Sequence, residues 1–377
     1  MKVTRIFAVA RKEVLHIVRD ARSLGMAIAL PMMLLVLYGY ALTMDLNEVP
    51  TVVWDQSQTP SSREFVASFF GSDYFLLQGQ VGSYEEVEHA IDTGEALTAI
   101  VISPDFSRRM AAGQAAPVQL LVDGSNPNTA TIAIGYAEAV AREFSRRITL
   151  EQVQKMRGAK METPIEMRPR AWFNADLKSR NYVVPGLIAV MMMMIAAMLT
   201  SLTVAREWEQ GTMEQLISTP IRGPELVLGK LLPYMGIGLI DTGIAVGMGA
   251  VVFKVPMRGS GALLFAMAVV FLTGALSLGL LVSIVTRNQL MANQLASTVT
   301  LLPSIILSGF VFEISSMPAV VRWITYFVPA KYFISLLRGI YLKGIGLEIL
   351  ALQAALLLLF ATAMVTLAMV KFRKKLV

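Results

Sequence analysis

Residues 205–230 read AREWEQGTMEQLISTPIRGPELVLGK and lie between two apolar runs of membrane-crossing length, Tyr182–Val204 and Leu231–Phe253. A charged pattern caught between two such runs does not suit a core helix. Glu207, Gln210, Glu214 and Gln215 recur at helical spacing, while Trp208, Leu216 and Ile217 supply apolar surface. Gly211-Thr212 interrupts the run, and Pro220 and Pro224 end it. The stretch reads as a short helix and turn exposed at a membrane surface, where another protein can push on it. The plainer alternative is a solvated loop.

Working outward, the composition supports the membrane setting. Of 377 residues, 55% are hydrophobic and 16% charged, far from the balance of a soluble domain. The net charge of +6 does not mark a nucleic-acid binder, because the basic residues gather at the ends. Lys2, Arg5, Arg11, Lys12, Arg19 and Arg22 face only Glu13 and Asp20, and the tail carries Lys371, Arg373, Lys374 and Lys375. Such flanks are expected on the cytoplasmic side of a span. Cysteine is absent, which excludes disulfides and thiolate chemistry. The first apolar run, from about Leu24, is long and has no small-residue cleavage site close behind it. It is expected to be a retained span and not a signal peptide.

Residues 1–22 place Ile6, Val9, Ala10, Val14, Ile17 and Val18 at intervals of three and four, the pattern of an amphipathic helix. Its basic face suits an anionic inner leaflet. Residues 23–44 form the first span, with Pro31 inside it. Residues 45–180 change character and are expected to fold as a large extracytoplasmic α/β domain. Strands are expected at Val49–Trp54, Tyr74–Gln80, Ala96–Ile102 and Pro117–Val122. Helices are expected at Ser61–Phe70, Tyr84–Ile91 (capped by Ser83), Pro104–Met110 and Thr129–Met156. The polar stretch 157–180 ends near Trp172, Phe173 and Tyr182, suited to a head-group belt, though Trp172 also suits a domain interior.

Residues 181–377 hold five further spans, about Tyr182–Val204, Leu231–Phe253, Ala262–Val285, Leu295–Phe312 and Ile349–Val370. Within 313–348 the apolar segments are short and broken by Pro318 and Pro329, which favours outer-leaflet helices or a re-entrant pair. The fold class is thus a polytopic α-helical membrane protein: six transmembrane helices, an N-terminal amphipathic helix, and the α/β domain between helices 1 and 2. An even number of spans puts both basic termini in the cytoplasm.

No catalytic constellation is present. The two histidines, His16 and His89, fall on opposite sides of the membrane in this topology, and no Gly-Lys-Ser phosphate loop exists. Met191–Met194 is more economically packing than a metal site. Asp241, near the middle of the third span, is costly at that depth. It is either a structural carboxylate, satisfied by Thr242 or by hydroxyls of the second span, or part of a substrate path. Gly236, Gly238, Gly243, Gly247 and Gly249 in the same span permit close helix packing.

The order of these parts resembles the permease subunits of type-2 ATP-binding-cassette (ABC-2) exporters of the bacterial multidrug type. The sharpest local likeness runs from Arg206-Glu207 through Gly211-Thr212-Met213-Glu214 to Thr219-Pro220 and is similar to that family's cytoplasmic coupling segment. Asn181-Tyr182-Val183-Val184-Pro185-Gly186 resembles its entry to the second span, and Leu307-Ser308-Gly309-Phe310 with Met317-Pro318 its outer turn; Glu313 departs from the pattern. The resemblance implies a non-enzymatic pathway subunit in the bacterial cytoplasmic (inner) membrane. Separate nucleotide-binding ATPase subunits would hold ATP and Mg, and this chain would carry no cofactor.

A second permease, identical or related, would complete the pathway, with a periplasmic adaptor as a further candidate partner. Arg206, Glu207, Trp208, Glu209, Gly211, Thr212, Glu214 and Pro220 would receive the ATPase, the glutamates by charge matching. Two other functions compete: an ion- or proton-coupled carrier, and a membrane receptor or scaffold with an exported sensor domain.

Overall fold

The computed structural model describes residues 2–41, 48–157, 172–174 and 178–372. Most of the linker at 157–180 and the basic tail beyond Phe372 lie outside the described residues. The chain divides into two compact units, Met44–Pro169 and the remainder.

In the membrane unit, α1 (Val3–Arg19) precedes α2 (Ala21–Ala41). The smaller unit then follows as β1 (Val49–Asp55), α3 (Pro60–Phe70), β2 (Phe75–Gln80), α4 (Tyr84–Asp92), β3 (Thr98–Ile102), α5 (Phe106–Ala111), β4 (Val118–Val122) and α6 (Pro127–Arg157). These are the expected elements to within a few residues, because each carries its own cap, proline or alternation signal. Thr59 and Ser62 form a reciprocal capping box on α3, and Ser83 accepts from the Glu86 amide to start α4. The strand order is β2-β1-β3-β4, parallel except for β4 against β3.

Residues alternate across β1, so Val49 and Val53 meet Phe65, Phe69, Ile100 and Phe144 on one face, while Val52 meets Val87, Ala90 and Ala99 on the other. The result is a three-layer α/β/α unit. Just before α5, the Ser103 hydroxyl and the Arg109 guanidinium hold the Asp105 carboxyl below its usual value.

The membrane unit resumes with α7 (Ser179–Glu209), α8 (Thr212–Ser218), α9 (Gly223–Val251), α10 (Gly261–Thr286) and α11 (Gln289–Ile306). Then come α12 (Ala319–Thr325), α13 (Pro329–Arg338), a π-helical turn at Gly339–Lys343, and α14 (Leu347–Lys371). Four helices are each long and apolar enough to cross a bilayer: α7, α9, α10 and α14. A fifth crossing arises only if α12 and the segment Pro329–Lys343, bent from it by 79°, count together as a broken span.

The structure therefore gives four to five such spans among the described residues, against the six expected. Among the described residues the apolar stretch of α2 is Ile28–Ala41. The 18-residue α11 opens with Gln289, Asn293 and Gln294, which shortens its apolar run.

The core of this unit is the seam between α7 and α10. Small residues allow it: a methyl group on Gly279 would collide with the Ala197 carbonyl and the Thr200 hydroxyl. Thr200 Oγ1 donates to the Leu276 carbonyl at 2.7 Å, and Ser283 Oγ accepts from the Val204 and Ala205 amides at 3.0 and 2.9 Å. Phe271 of α10 stacks on Phe333 of α13 at 4.1 Å between centroids. Met191–Met194 are all buried, as packing requires.

Candidate functional site

At one end of the membrane unit α7 does not stop where its apolar run stops. At 31 residues it is about 46 Å long, more than the ~30 Å hydrocarbon layer, and Arg206–Glu209 form its last turn. The chain then reverses at Gly211, whose φ of 69° is a left-handed conformation that glycine adopts without steric cost. From there α8 starts with Thr212, whose hydroxyl donates to the Glu207 carbonyl at 3.3 Å.

A buried ion cluster fixes this elbow. Lys230 of α9 is 1% exposed, and its Nζ lies 2.8 Å from Glu13 Oε1 of α1 and 2.9 Å from Glu207 Oε2 of α7. Lys12 closes the other side at 2.5 Å from Glu207 Oε1, and the Tyr234 hydroxyl donates to Glu13 at 3.4 Å. Two ammonium groups against two carboxylates leave no net charge in the cluster. That balance is what makes so much burial tolerable.

A second clasp is centred on Glu225, which accepts from the backbone amides of Lys2 and Arg222 at 2.8 and 3.0 Å. Arg5 lies 3.5 Å from the same carboxylate and also donates to the Pro220 carbonyl. A third clasp joins the elbow to the start of α11. Glu209 accepts from the backbone and side chain of Gln289, Arg206 lies 3.4 Å from Gln289 and 3.9 Å from Asp20, and Arg287 sits 4.6 Å above the Trp208 ring.

The eight residues picked from the sequence thus divide. Arg206, Glu207, Trp208 and Glu209 are engaged within the chain, whereas Gly211, Glu214 and Pro220 are exposed, together with Gln210, Gln215 and Ser218. Thr212 is half-buried. On α1 the polar residues Arg5, Lys12 and Glu13 turn toward α7 and α9, while Val3, Phe7, Val14 and Val18 stay exposed. Glu13, Lys12 and Lys230 were not singled out in the sequence. The signal was present: an acid inside a basic helix, and a lone lysine opening an apolar span, each need a partner.

Beside the cluster lies a cavity of about 550 Å³ reached by α1, α2, α7, α8 and α9, with Ile17, Leu30, Leu199, Leu202, Leu216 and Ile237 among its apolar walls. One turn deeper along α9, Asp241 is 5% exposed, and neither of its carboxylate oxygens has a hydrogen-bond partner among the described residues. Thr242 does not satisfy it. Its hydroxyl donates to the Gly238 carbonyl at 2.6 Å, with the Met192 sulfur at 3.5 Å. Among the described residues no group of three His, Cys, Asp or Glu side chains is placed to hold a metal ion.

At the other end of α7 two further sequence segments meet. Gly186 leaves just the room that the Phe310 ring fills. Arg338 lies 3.4 Å over the Tyr182 ring and donates to the carbonyls of Gly309 (3.0 Å) and Phe310 (3.4 Å). Gly309 has φ of 80°. Arg338 is the residue that ties α7, α13 and this turn together.

An elbow clasped to an amphipathic N-terminal helix, four helices long and apolar enough to cross a bilayer, and an α/β unit between the second helix and the rest describe a polytopic α-helical membrane protein. The chain belongs to the ABC-2 family: residues 22–370 match the family described as ABC-2 family transporter protein. It is 36% identical over 374 residues to the probable multidrug ABC transporter permease YbhS of Escherichia coli strain K12, covering 99% of this chain and 97% of that protein. It is 28% identical to the probable multidrug ABC transporter permease YbhR of the same strain over 371 residues, covering 98% and 99%. It is also 28% identical to that strain's inner membrane transport permease YhhJ over 334 residues, covering 87% and 86%. The chain is the multi-pass, inner-membrane permease component of an ABC-type exporter, and ATP is hydrolysed by separate subunits.

Proposed function

We propose that this chain forms an export pathway for drug-like, apolar cargo, and that a nucleotide-binding ATPase subunit holding ATP and Mg docks on the exposed face of Gln210, Gly211, Glu214, Gln215, Ser218 and Pro220. The observation that carries the reading is the Lys230 ammonium bridging Glu13 and Glu207. Through it, force applied to α8 reaches α1, α7 and α9 together, so closure of a partner can bias the arrangement of the bundle. Arg206, Glu207, Trp208, Glu209 and Thr212 transmit the force, and Glu214 meets the partner. The multidrug designation of the relatives supports the cargo class.

In this reading α2, α7, α9, α10, α11 and α14 make six crossings and both termini are cytoplasmic. The α12–α13 pair dips into the outer leaflet, and the α/β unit is extracytoplasmic, where an adaptor would bind. The apolar side of α1, with Phe7 and Val14, rests in the inner leaflet. A second permease, identical or related, completes the pathway, and Asp241 lies along the cargo route.

The test compares two charge reversals in the exporter isolated from membranes. Glu214→Lys detaches the ATPase subunit while the permease stays folded; Glu207→Lys also disrupts the ion cluster. An intact complex with unchanged transport-stimulated ATPase in Glu214→Lys would refute the docking face.

A further inference from the structure

Asp241 and the two cavities on the seam between α2, α7 and α9 belong together. The carboxylate opens on a small apolar cavity of about 20 Å³, bounded by Pro31, Met32, Ile188, Met191, Met192 and Leu272 among others. Apart from Asp241 itself, its lining side chains are all apolar. A buried carboxylate has acceptors to satisfy, and here none of the described residues offers a donor. The donor must come from what enters.

The size of the space narrows what that is. A cavity of 20 Å³ admits about one water-sized group. A primary ammonium, with three N–H donors and a positive charge, fits that room and that need; a trimethylammonium head is too large. The small cavity shares part of its wall with the wide one. Ile195 and Leu199 line both, and Ile237 of the wide cavity is one helical turn, about 6 Å, from Asp241. The wide cavity, at about 550 Å³, is in the range that holds a drug-sized body.

We propose that Asp241 is the recognition carboxylate for amphiphiles bearing a primary ammonium, the head entering the small cavity and the apolar body filling the wide one. This narrows the cargo class and so rests on the pathway role given to this seam above. The contact is reversible ion pairing and hydrogen bonding.

The test uses the full chain in lipid nanodiscs, with binding measured by equilibrium dialysis against empty nanodiscs. The probes are phenylpentylamine, its neutral isostere phenylpentanol, and the bulky-headed phenylpentyltrimethylammonium. The amine is expected to bind at least about tenfold more tightly than the other two. Asp241→Asn should remove that preference while leaving phenylpentanol binding within about twofold, and Asp241→Glu should restore part of it. Leu199→Trp, which obstructs the junction without changing charge, should weaken the amine by a similar factor.

Equal binding of amine and alcohol, or an amine affinity indifferent to Asp241→Asn, overturns the proposal. So does an equal loss of both probes, which would make the carboxylate a packing element. If the ATPase subunit detaches in Glu214→Lys but the amine shows no preference, only the cargo inference falls. If the ATPase complex is unaffected while the amine binds as expected, only the docking face falls.

Discussion

Removing the Lys230 ammonium, as in Lys230→Met, leaves Glu13 and Glu207 facing one another inside the fold. Both carboxylate oxygens touch the same Nζ, at 2.8 and 2.9 Å. They therefore cannot be more than about 6 Å apart, and two unit charges at that distance repel by about 3 kcal/mol at an effective dielectric constant near 20. Lys12 remains beside Glu207 and offsets part of this. Removing one member of a buried ion pair generally costs about 3–5 kcal/mol, so we expect a loss near the lower end.

That loss falls on the docking of α1 against α9, because Glu13 is the α1 member of the cluster. The natural chain has no cysteine, so one introduced by Ala10→Cys, on the buried side of α1, reports docking directly. Its maleimide labelling should rise about a hundredfold when Lys230→Met is added, the equivalent of about 3 kcal/mol in the opening equilibrium. Adding Glu13→Leu and Glu207→Gln should recover most of the protection, since a buried pair replaced by apolar or neutral groups is often tolerated. Unchanged labelling in Lys230→Met would show that the cluster does not hold α1, and the argument for force transmission through it would go with it.

Other expectations can be checked alongside. Gly279→Ala places a methyl against the Ala197 carbonyl and should cost at least the 1–3 kcal/mol typical of overpacking, read as lower thermal stability of the purified protein. Gly186→Ala should destabilise by its collision with Phe310, and Phe310→Ala in the same chain should relieve part of the loss, a coupling measurable in a double-mutant cycle. Arg338→Lys keeps the charge but loses the planar stack on Tyr182 and the forked donation to Gly309 and Phe310, so it should behave more like Arg338→Met than like the parent in thermal melts. In the α/β unit, the Asp105 carboxyl titrates below its usual value when folded. Its contribution is therefore complete above the ordinary carboxylate range near pH 4 and fades as pH falls through the depressed value, with loosening of α5 visible by amide exchange. Asp105→Asn should flatten that dependence.

Much of this protein is local in origin and was legible along the chain. Strand alternation, Ser83 at a helix start, and the prolines and glycines at breaks each act over a few residues, so the α/β elements could be placed without knowing their neighbours. The apolar runs and the helix and turn within 205–230 were likewise set by composition and spacing. Span number was less legible. Polar residues in its first turns shorten the apolar run of α11, and the 79° bend between α12 and α13 depends on what each packs against.

What tertiary structure alone decided is the destination of charge. Glu207 and Glu214 look alike in the sequence, seven residues apart on one amphipathic stretch. Yet one is 6% exposed against Lys230 and the other faces outward. The difference arises because Glu13 and Lys230 lie 217 positions apart and meet only when α1 folds back on α9. A local pattern fixes which residues are charged and where helices end; only the packed bundle fixes which charges find partners, and which, like Asp241, have none among the described residues.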